Sequence, residues 1–211
     1  MHYKNFKVFA VIPARSGSKS IRNKNIKKIN NNPLIYYTID TALKSKFIDN
    51  LCFSSDSETY LNIARSYGVK NLIKRPKSLS NEKALSYEVV FHALKKTEKI
   101  LETTFDAVLL LQPTNPLRRL YDIDFCIKKL RNNQNKYDSI VSVVDVGGIH
   151  PDRMKIIDKN GLLKNYLKFD KENMIPRQNL KKIYIRSGDI YLISRDSLLK
   201  NKSLVGNYVF P

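Results

Sequence analysis

In the stretch Lys7-Val8-Phe9-Ala10-Val11-Ile12-Pro13, residues 8–12 form an unbroken apolar run that stops at a proline. Such a run is typical of a strand buried on both faces of a parallel sheet. The polar loop Ala14-Arg15-Ser16-Gly17-Ser18-Lys19 follows directly, and a helical pattern with a proline near its first position then covers residues 33–43. Buried strand, polar loop and helix in this order predict the first repeat of an α/β fold.

The alternation of strands and helices continues along the chain. Further strands are predicted at 50–55, 69–73, 105–111, 139–144 and 190–193, and further helices at 57–67, 87–101 and 122–132. This order predicts an open, mainly parallel sheet flanked by helices, that is, a Rossmann-like α/β fold. We expect residues 1–211 to form a single domain. Residues 147–179 break the alternation with Gly147-Gly148 and two prolines, which indicates an inserted arm for dimerisation or substrate binding.

The charge of the chain points to anionic ligands. Lys and Arg number 38 against 19 Asp and Glu, which gives a net charge of +19. Clustered cations bind nucleic acid, but here they are spread along the whole length, as a coding bias towards lysine and asparagine would also produce. We therefore expect no nucleic-acid partner. A small anionic substrate would be attracted equally well.

Other classes of protein are excluded by simpler features. No run of about eighteen apolar residues is present, so a transmembrane helix is not expected, and neither is a membrane partner. Residues 1–7 lead into the first strand without a signal-peptide cleavage site. Cys52 and Cys126 lie in apolar stretches without metal-ligand spacing. Buried, reduced thiols and a cytoplasmic location are the resulting expectation.

Four polar segments follow predicted strands: 15–25, 54–56, Arg75 and 112–118. Because ligands of open α/β sheets bind beyond the carboxyl ends of the strands, we expect these segments to converge on one crevice. The Ser-Gly-Ser centre of the first loop lets backbone N–H groups approach a phosphate, and Arg15, Lys19 and Lys24 suit a triphosphate. Neither GxxxxGK[ST] nor GxGxxG is present, which argues against a P-loop ATPase and a Rossmann dehydrogenase. The alternative interpretation of the first loop is a basic, solvated turn without a ligand.

The ordered set of motifs resembles the acylneuraminate cytidylyltransferases, the CMP-sialic acid synthetase family, including its CMP-legionaminic acid synthetase-like members. The resemblance begins in residues 11–25 (VIPARSGSKSIRNKN). It continues through Ser54-Ser55-Asp56, Lys74-Arg75-Pro76 and residues 110–118 (LLQPTNPLR), and ends in Arg177-Gln178 and residues 187–191 (SGDIY). It implies a nucleotide-diphospho-sugar transferase sheet. It also implies a reaction that couples CTP to a nine-carbon α-keto sugar acid (sialic, legionaminic or pseudaminic acid), releasing pyrophosphate.

The resemblance also implies the residues of the site. Catalysis by charge neutralisation and positioning would fall to Arg15, Lys19, Lys24 and Gln112. The nucleotide would be bound by Ala14, Arg15, Ser16, Gly17, Ser18, Lys19, Lys24, Asn25, Arg75, Glu82 and Ser86. The sugar would be bound by Gln112, Thr114, Arg153, Arg177, Gln178, Ser187 and Tyr191.

Mg²⁺ is the metal that the resemblance implies, together with a homodimer in which Arg153 reaches the neighbouring subunit's sugar. The sequence departs from the family at three points. Glu82 stands in the setting Asn81-Glu82-Lys83-Ala84, where the family has an aspartate, and Ser187 precedes Gly188, where the family has an asparagine. The family's Ile-Asp-Ile-Asp motif, which helps to hold the metal, does not occur in residues 1–211. No metal ligand is therefore predicted, and a catalytically inactive or truncated nucleotide-binding homologue is the alternative function.

Overall fold

The computed structural model describes residues 6–18, 20–167 and 174–211. The strands are β1 (Val8–Pro13), β2 (Lys28–Ile29), β3 (Asn32–Pro33), β4 (Asn50–Ser55), β5 (Asn71–Lys74), β6 (Ala107–Leu110), β7 (Ser139–Asp145), β8 (Lys155–Ile157), β9 (Leu163–Asn165), β10 (Tyr184–Ser194) and β11 (Val209–Phe210). The α-helices are α1 (Leu34–Lys44), α2 (Glu58–Ser66), α3 (Ser86–Leu101), α4 (Leu120–Asn132) and α5 (Arg195–Asn201). Short 3₁₀ helices cover Lys24–Ile26, Lys77–Leu79, Pro151–Arg153 and Arg177–Asn179.

Seven strands form one sheet in the order β11-β7-β10-β6-β1-β4-β5. Strand β1 pairs in parallel with β4 and β6, β4 pairs in parallel with β5, and β11 pairs in parallel with β7. Strand β10 is antiparallel to β6, with Tyr191 opposite Leu110. The predicted mainly parallel α/β sheet is confirmed. The hydrophobic pattern did not indicate the direction of β10, because a buried strand reads alike in either direction.

The two faces of the sheet carry separate hydrophobic clusters. Ala10 and Ile12 point to the face covered by α1, α2 and α4, whereas Phe9 and Val11 point to the face covered by α3 and α5. This division follows from the period-2 geometry of a strand, whose successive side chains point to opposite faces. Helices on both faces explain why residues 8–12 are apolar without interruption.

Most predicted elements lie within a few residues of their observed bounds. Gly68, the predicted helix stop, follows α2 with a left-handed φ of 93°. The sequence analysis missed the hairpin β2–β3, the hairpin β8–β9, α5 and β11. These elements are two to seven residues long, which is too short for a hydrophobic period to emerge.

The chain divides into two compact units, Met1–Ser142 with Gly188–Pro211, and Val143–Ser187. The predicted arm, 147–179, lies within the second unit. In that unit β8 and β9 form an antiparallel hairpin on which Ile157 and Leu163 are 75% and 68% exposed. In the described ranges, no helix has the length and apolar character needed to cross a membrane.

Candidate nucleotide site

A cavity of about 300 Å³ in the first unit lies where β1, β5 and β6 end. Three of the four polar segments meet there, as predicted. The fourth, 54–56, does not line the cavity and is hydrogen-bonded to the first loop instead. The lining residues are Pro13, Arg15, Ser18, Lys24, Asn25, Arg75, Leu79, Asn81, Glu82, Ala84, Ser86, Val89, Gln112, Pro113 and Thr114.

The first loop is held by hydrogen bonds on several sides. Ala14 donates its N–H to the Ser54 carbonyl oxygen at 2.9 Å, so the loop continues the pairing of β1 with β4. The buried side chain of Asn25 donates its Nδ2 to the Arg15 carbonyl oxygen at 3.0 Å. Ser16 donates both its N–H and its hydroxyl to Asp56. These bonds fix the backbone from which the Arg15 and Ser18 side chains reach the cavity.

Arg75 is the most unusual side chain of the cavity, because it is only 5% exposed. Its Nε and Nη2 have no hydrogen-bond partner in the part of the chain that the structure describes. Burial lowers the pKa of the guanidinium, Asp56 raises it and Arg15 lowers it further. Leaving buried donors unpaired is costly, so these two donors are available to an acceptor that enters the cavity.

The loop before α3 forms another wall. Asn81 Oδ1 accepts the N–H groups of Lys83 and Ala84 at 2.9 and 3.0 Å, which fixes the turn that carries Glu82. Helix α3 begins at Ser86, so its amino end, with its partial positive charge, borders the cavity. This helix end and the positive charges of Arg15, Lys24 and Arg75 outweigh the negative charge of Glu82, so the cavity is suited to an anion.

Gln112 at the end of β6 is positioned by a residue whose role the sequence analysis missed. Arg118 is buried and donates to the carbonyl oxygens of Gln112 (2.9 Å) and Asp189 (2.8 Å) and to Thr38 Oγ1 (3.2 Å). Burial lowers the pKa of Arg118 to about 10, although Asp189 acts to raise it. The only signal in the sequence was its place in the polar segment 112–118.

Gly188 precedes Asp189, one of the residues bound by Arg118, and has a left-handed φ of 81°. A Cβ at this position would stand 3.5 Å from Asn115 Nδ2 and 3.7 Å from Gln112 Oε1. These are ordinary van der Waals distances, so it is the left-handed φ, not lack of space, that favours glycine here.

Several residues predicted for the site have other surroundings. Ala14, Ser16 and Gly17 belong to the first loop but do not line the cavity. Tyr191 lies in β10 and packs against the cluster of Phe9 and Val11. Lys19 lies outside the described residues.

The remaining predicted sugar residues belong to the second unit. Arg177 and Gln178 line a cavity of about 360 Å³ together with Gly147, His150, Lys181 and Lys182. His150 is buried, and its ring is bound to backbone: Nδ1 accepts the Asp152 N–H at 3.2 Å and Nε2 lies 3.0 Å from the Lys181 carbonyl oxygen. Arg153 is exposed and donates Nη2 to the Ile175 carbonyl oxygen, and Ser187 lies in β10.

Within residues 6–18, 20–167 and 174–211, no three side chains of His, Cys, Asp or Glu come together as a metal site. The cavity lined by Arg15, Lys24 and Arg75 therefore has no assigned protein ligand for a metal.

The profile of a protein family described as cytidylyltransferase matches residues 9–208. The chain is 34% identical over 207 residues to an N-acylneuraminate cytidylyltransferase of Escherichia coli O18:K1:H7, covering 96% of this chain and 46% of that protein. It is 32% identical over 205 residues to a CMP-N,N'-diacetyllegionaminic acid synthase of Legionella pneumophila, covering 97% and 85%. The chain thus spans about half of the first relative and most of the second.

The fold agrees with a solved structure. A CMP:2-keto-3-deoxy-manno-octonic acid synthetase complexed with CTP superposes with a TM-score of 0.66 at 18% identity, over 93% of this chain and 77% of that one. With the match to the family profile over nearly all of its length, the chain belongs to the cytidylyltransferase family.

Proposed function

We propose that the chain is a cytidylyltransferase that couples CTP to a nine-carbon α-keto sugar acid and releases pyrophosphate, acting in the cytoplasm. The observation that carries the proposal is the cationic cavity built around the buried guanidinium of Arg75, whose Nε and Nη2 have no hydrogen-bond partner among the described residues. The names of the relatives give the substrate class: sialic acid in one branch and a legionaminic acid in another.

The triphosphate would occupy the cavity between the first loop and Arg75. Arg15 and Lys24 bring positive charge to one wall and Arg75 to another, and Lys19 is proposed to join them. Asn25 and Ser86, with Glu82, would contact the rest of the nucleotide. Opposite charges in a partly enclosed site attract more strongly than in water, so these contacts both bind and orient the nucleotide.

The sugar's anomeric hydroxyl oxygen would attack the α-phosphorus in line with the departing pyrophosphate. The new bond joins that oxygen to the α-phosphorus, the bond from the α-phosphorus to the bridging oxygen breaks, and the hydroxyl proton goes to water. Both reactants are anions, so neutralisation of charge and positioning supply most of the rate increase. Gln112, at the mouth of β6, is the side chain proposed to border the reacting centre.

Mg²⁺ is proposed as the metal. A bound Mg²⁺ neutralises charge on the phosphate oxygens, and it is commonly held by those oxygens and water with few protein ligands. The residues of the cavity offer no cluster of carboxylates for it, so no step is derived through it.

The sugar's carboxylate is proposed to bind Arg177, because a planar guanidinium grips a carboxylate with two parallel hydrogen bonds. Gln178 lines the same cavity of the second unit, where Lys181 and Lys182 add positive charge. Thr114, Ser187 and Tyr191 complete the proposed sugar contacts, and Arg153 would act on the sugar of a second subunit.

A homodimer is proposed through the second unit, whose β8–β9 hairpin exposes Ile157, Leu162 and Leu163. Apolar side chains exposed together are typical of an interface between proteins. We expect a dimer at micromolar concentration in sedimentation velocity. A monomer at that concentration would remove the cross-subunit role of Arg153.

Pyrophosphate release from CTP tests the activity. We expect metal-dependent release with at least one of sialic, legionaminic and pseudaminic acids, and none with an eight-carbon α-keto sugar acid as the control. If saturating CTP yields no pyrophosphate with any nine-carbon acid, the proposal fails. CTP binding that persists without turnover and ignores Mg²⁺ would instead support an inactive nucleotide-binding homologue.

A further inference from the structure

Asp56, directly after β4, connects two loops of the cavity without lining it. Its Oδ1 accepts the Ser16 N–H at 2.9 Å and its Oδ2 accepts the Ser16 hydroxyl at 2.7 Å. One carboxylate therefore holds both the backbone and the side chain of a residue 40 positions away. Two bonds to one residue fix its backbone and its rotamer together, which a single bond does not.

Asp56 is itself held in place by its neighbours. Arg75 donates its backbone N–H to the Ser55 carbonyl oxygen at 2.8 Å, and Ser57 donates its backbone N–H to Ser55 Oγ at 3.1 Å. Ser57 then caps α2 by accepting the Tyr60 N–H. The residues on both sides of Asp56 are thus fixed to the sheet and to a helix, which gives the carboxylate a rigid base from which to support the first loop.

The charge of Asp56 also acts on the cavity. It favours the charged form of the Arg75 guanidinium, whereas Arg15 disfavours it. Burial would raise the pKa of Asp56, but its hydrogen bonds with Ser16 and the charge of Arg75 bring it below its usual range. The carboxylate thus offsets the repulsion between two arginines that must both be present before a nucleotide arrives.

We propose that Asp56 is a positioning residue of the nucleotide site: it holds the Ser16 turn, so that Arg15 and Ser18 face the cavity, and it steadies Arg75. Asp56 acts through Ser16 and Arg75 and touches no substrate. The inference rests on the proposed function, since the site it organises is the one proposed for CTP.

The affinity for CTP, measured by calorimetry, tests the inference through Asp56→Asn. The carboxamide has one acceptor oxygen and can meet the Ser16 hydroxyl only as a donor, so the pair of charge-assisted bonds that Ser16 donates is lost. We expect the dissociation constant for CTP to rise about tenfold. Removing a negative charge beside a triphosphate site would alone tighten binding, so the sign of the change separates positioning from simple repulsion.

A double-mutant cycle with Ser16→Ala adds a readout that general loss of stability does not give. Ser16→Ala deletes only the hydroxyl bond, and we expect about a threefold rise in the dissociation constant. The double variant Ser16→Ala/Asp56→Asn is expected to be no worse than Asp56→Asn alone, because both changes remove the same interaction. In turnover, the KM for CTP should rise while the KM for the sugar acid stays constant.

Asp49→Asn is the matched control. Asp49 Oδ2 accepts the Val8 N–H at 2.7 Å, so it braces the opposite end of β1 with the same chemistry. It should leave CTP affinity unchanged. If the wild type binds CTP and Asp56→Asn and Ser16→Ala bind it as tightly or more tightly, only this inference is overturned. If the wild type binds no CTP, the proposed function fails with it. If Asp56→Asn does not fold, Ser16→Ala decides.

Discussion

Replacing Arg75 with methionine is expected to weaken CTP binding at least a hundredfold while leaving the nucleotide-free protein about as stable as the wild type. Most buried arginines would behave differently, because removing them breaks hydrogen bonds. Arg75 is 5% exposed, yet its Nε and Nη2 have no partner among the described residues. The folded protein therefore carries the cost of burying these donors and recovers it only when a ligand accepts from them.

The expected changes in CTP affinity and in stability follow from this difference between the ligand-bound and the ligand-free protein. A hydrogen bond to a charged group contributes about 1.5 to 3 kcal/mol, so losing those to a triphosphate amounts to a hundredfold or more in affinity. Without ligand, methionine fills a similar volume and removes a buried charge with two unsatisfied donors, which is often neutral or stabilising. The lost attraction to Asp56 works against this gain, so we expect unfolding free energies within about 1 kcal/mol of each other.

Calorimetry with CTP and urea unfolding of the same samples would measure both quantities. Arg65→Met removes one positive charge from the exposed end of α2 and controls for the overall charge. Arg75→Lys separates charge from shape, because lysine keeps the charge but lacks the planar fork. A large loss of stability in Arg75→Met, with CTP affinity preserved, would contradict the prediction.

The edge of the sheet at which the site lies could be predicted, since buried strands reveal themselves by apolar runs and their carboxyl ends share one edge. That argument is enough to place Arg15, Lys24, Arg75 and Gln112 at one edge of the sheet. Their chemical roles are proposals that the structure supports by burial and charge.

The sequence could not indicate which polar residues of those segments face the ligand. Ser16 has its hydroxyl turned to Asp56, although it stands in the same motif as Arg15 and Ser18, which line the cavity. Hydrogen bonds between distant parts of the chain leave no periodic trace in a sequence. For the same reason the sequence did not indicate the role of Arg118, whose three acceptors lie on α1, after β6 and in β10.

Arg118→Lys is expected to lower the free energy of unfolding by about 3 kcal/mol and to reduce kcat at least tenfold. The guanidinium joins Thr38, Gln112 and Asp189, and a lysine ammonium lacks the fixed fork that reaches all three. Two half-buried backbone carbonyls would each lose a charged donor, at about 1 to 3 kcal/mol each, although the Gln112 oxygen keeps the Asn115 N–H at 3.4 Å. Gln112 and Gly188 would then be free to shift, so the effect on kcat reports the position of the reacting centre.

Arg119→Lys is the neighbouring control, because Arg119 is exposed and pairs only with Asp122 among the partners that the structure shows for it. We expect no measurable change in unfolding or in kcat, since exposed ion pairs contribute little. Urea unfolding and steady-state turnover on both variants separate the two positions. Equal, small effects of the two substitutions would show that Arg118 does not position Gln112. If Arg118→Lys loses stability with kcat unchanged, Arg118 stabilises the fold and does not position the reacting centre.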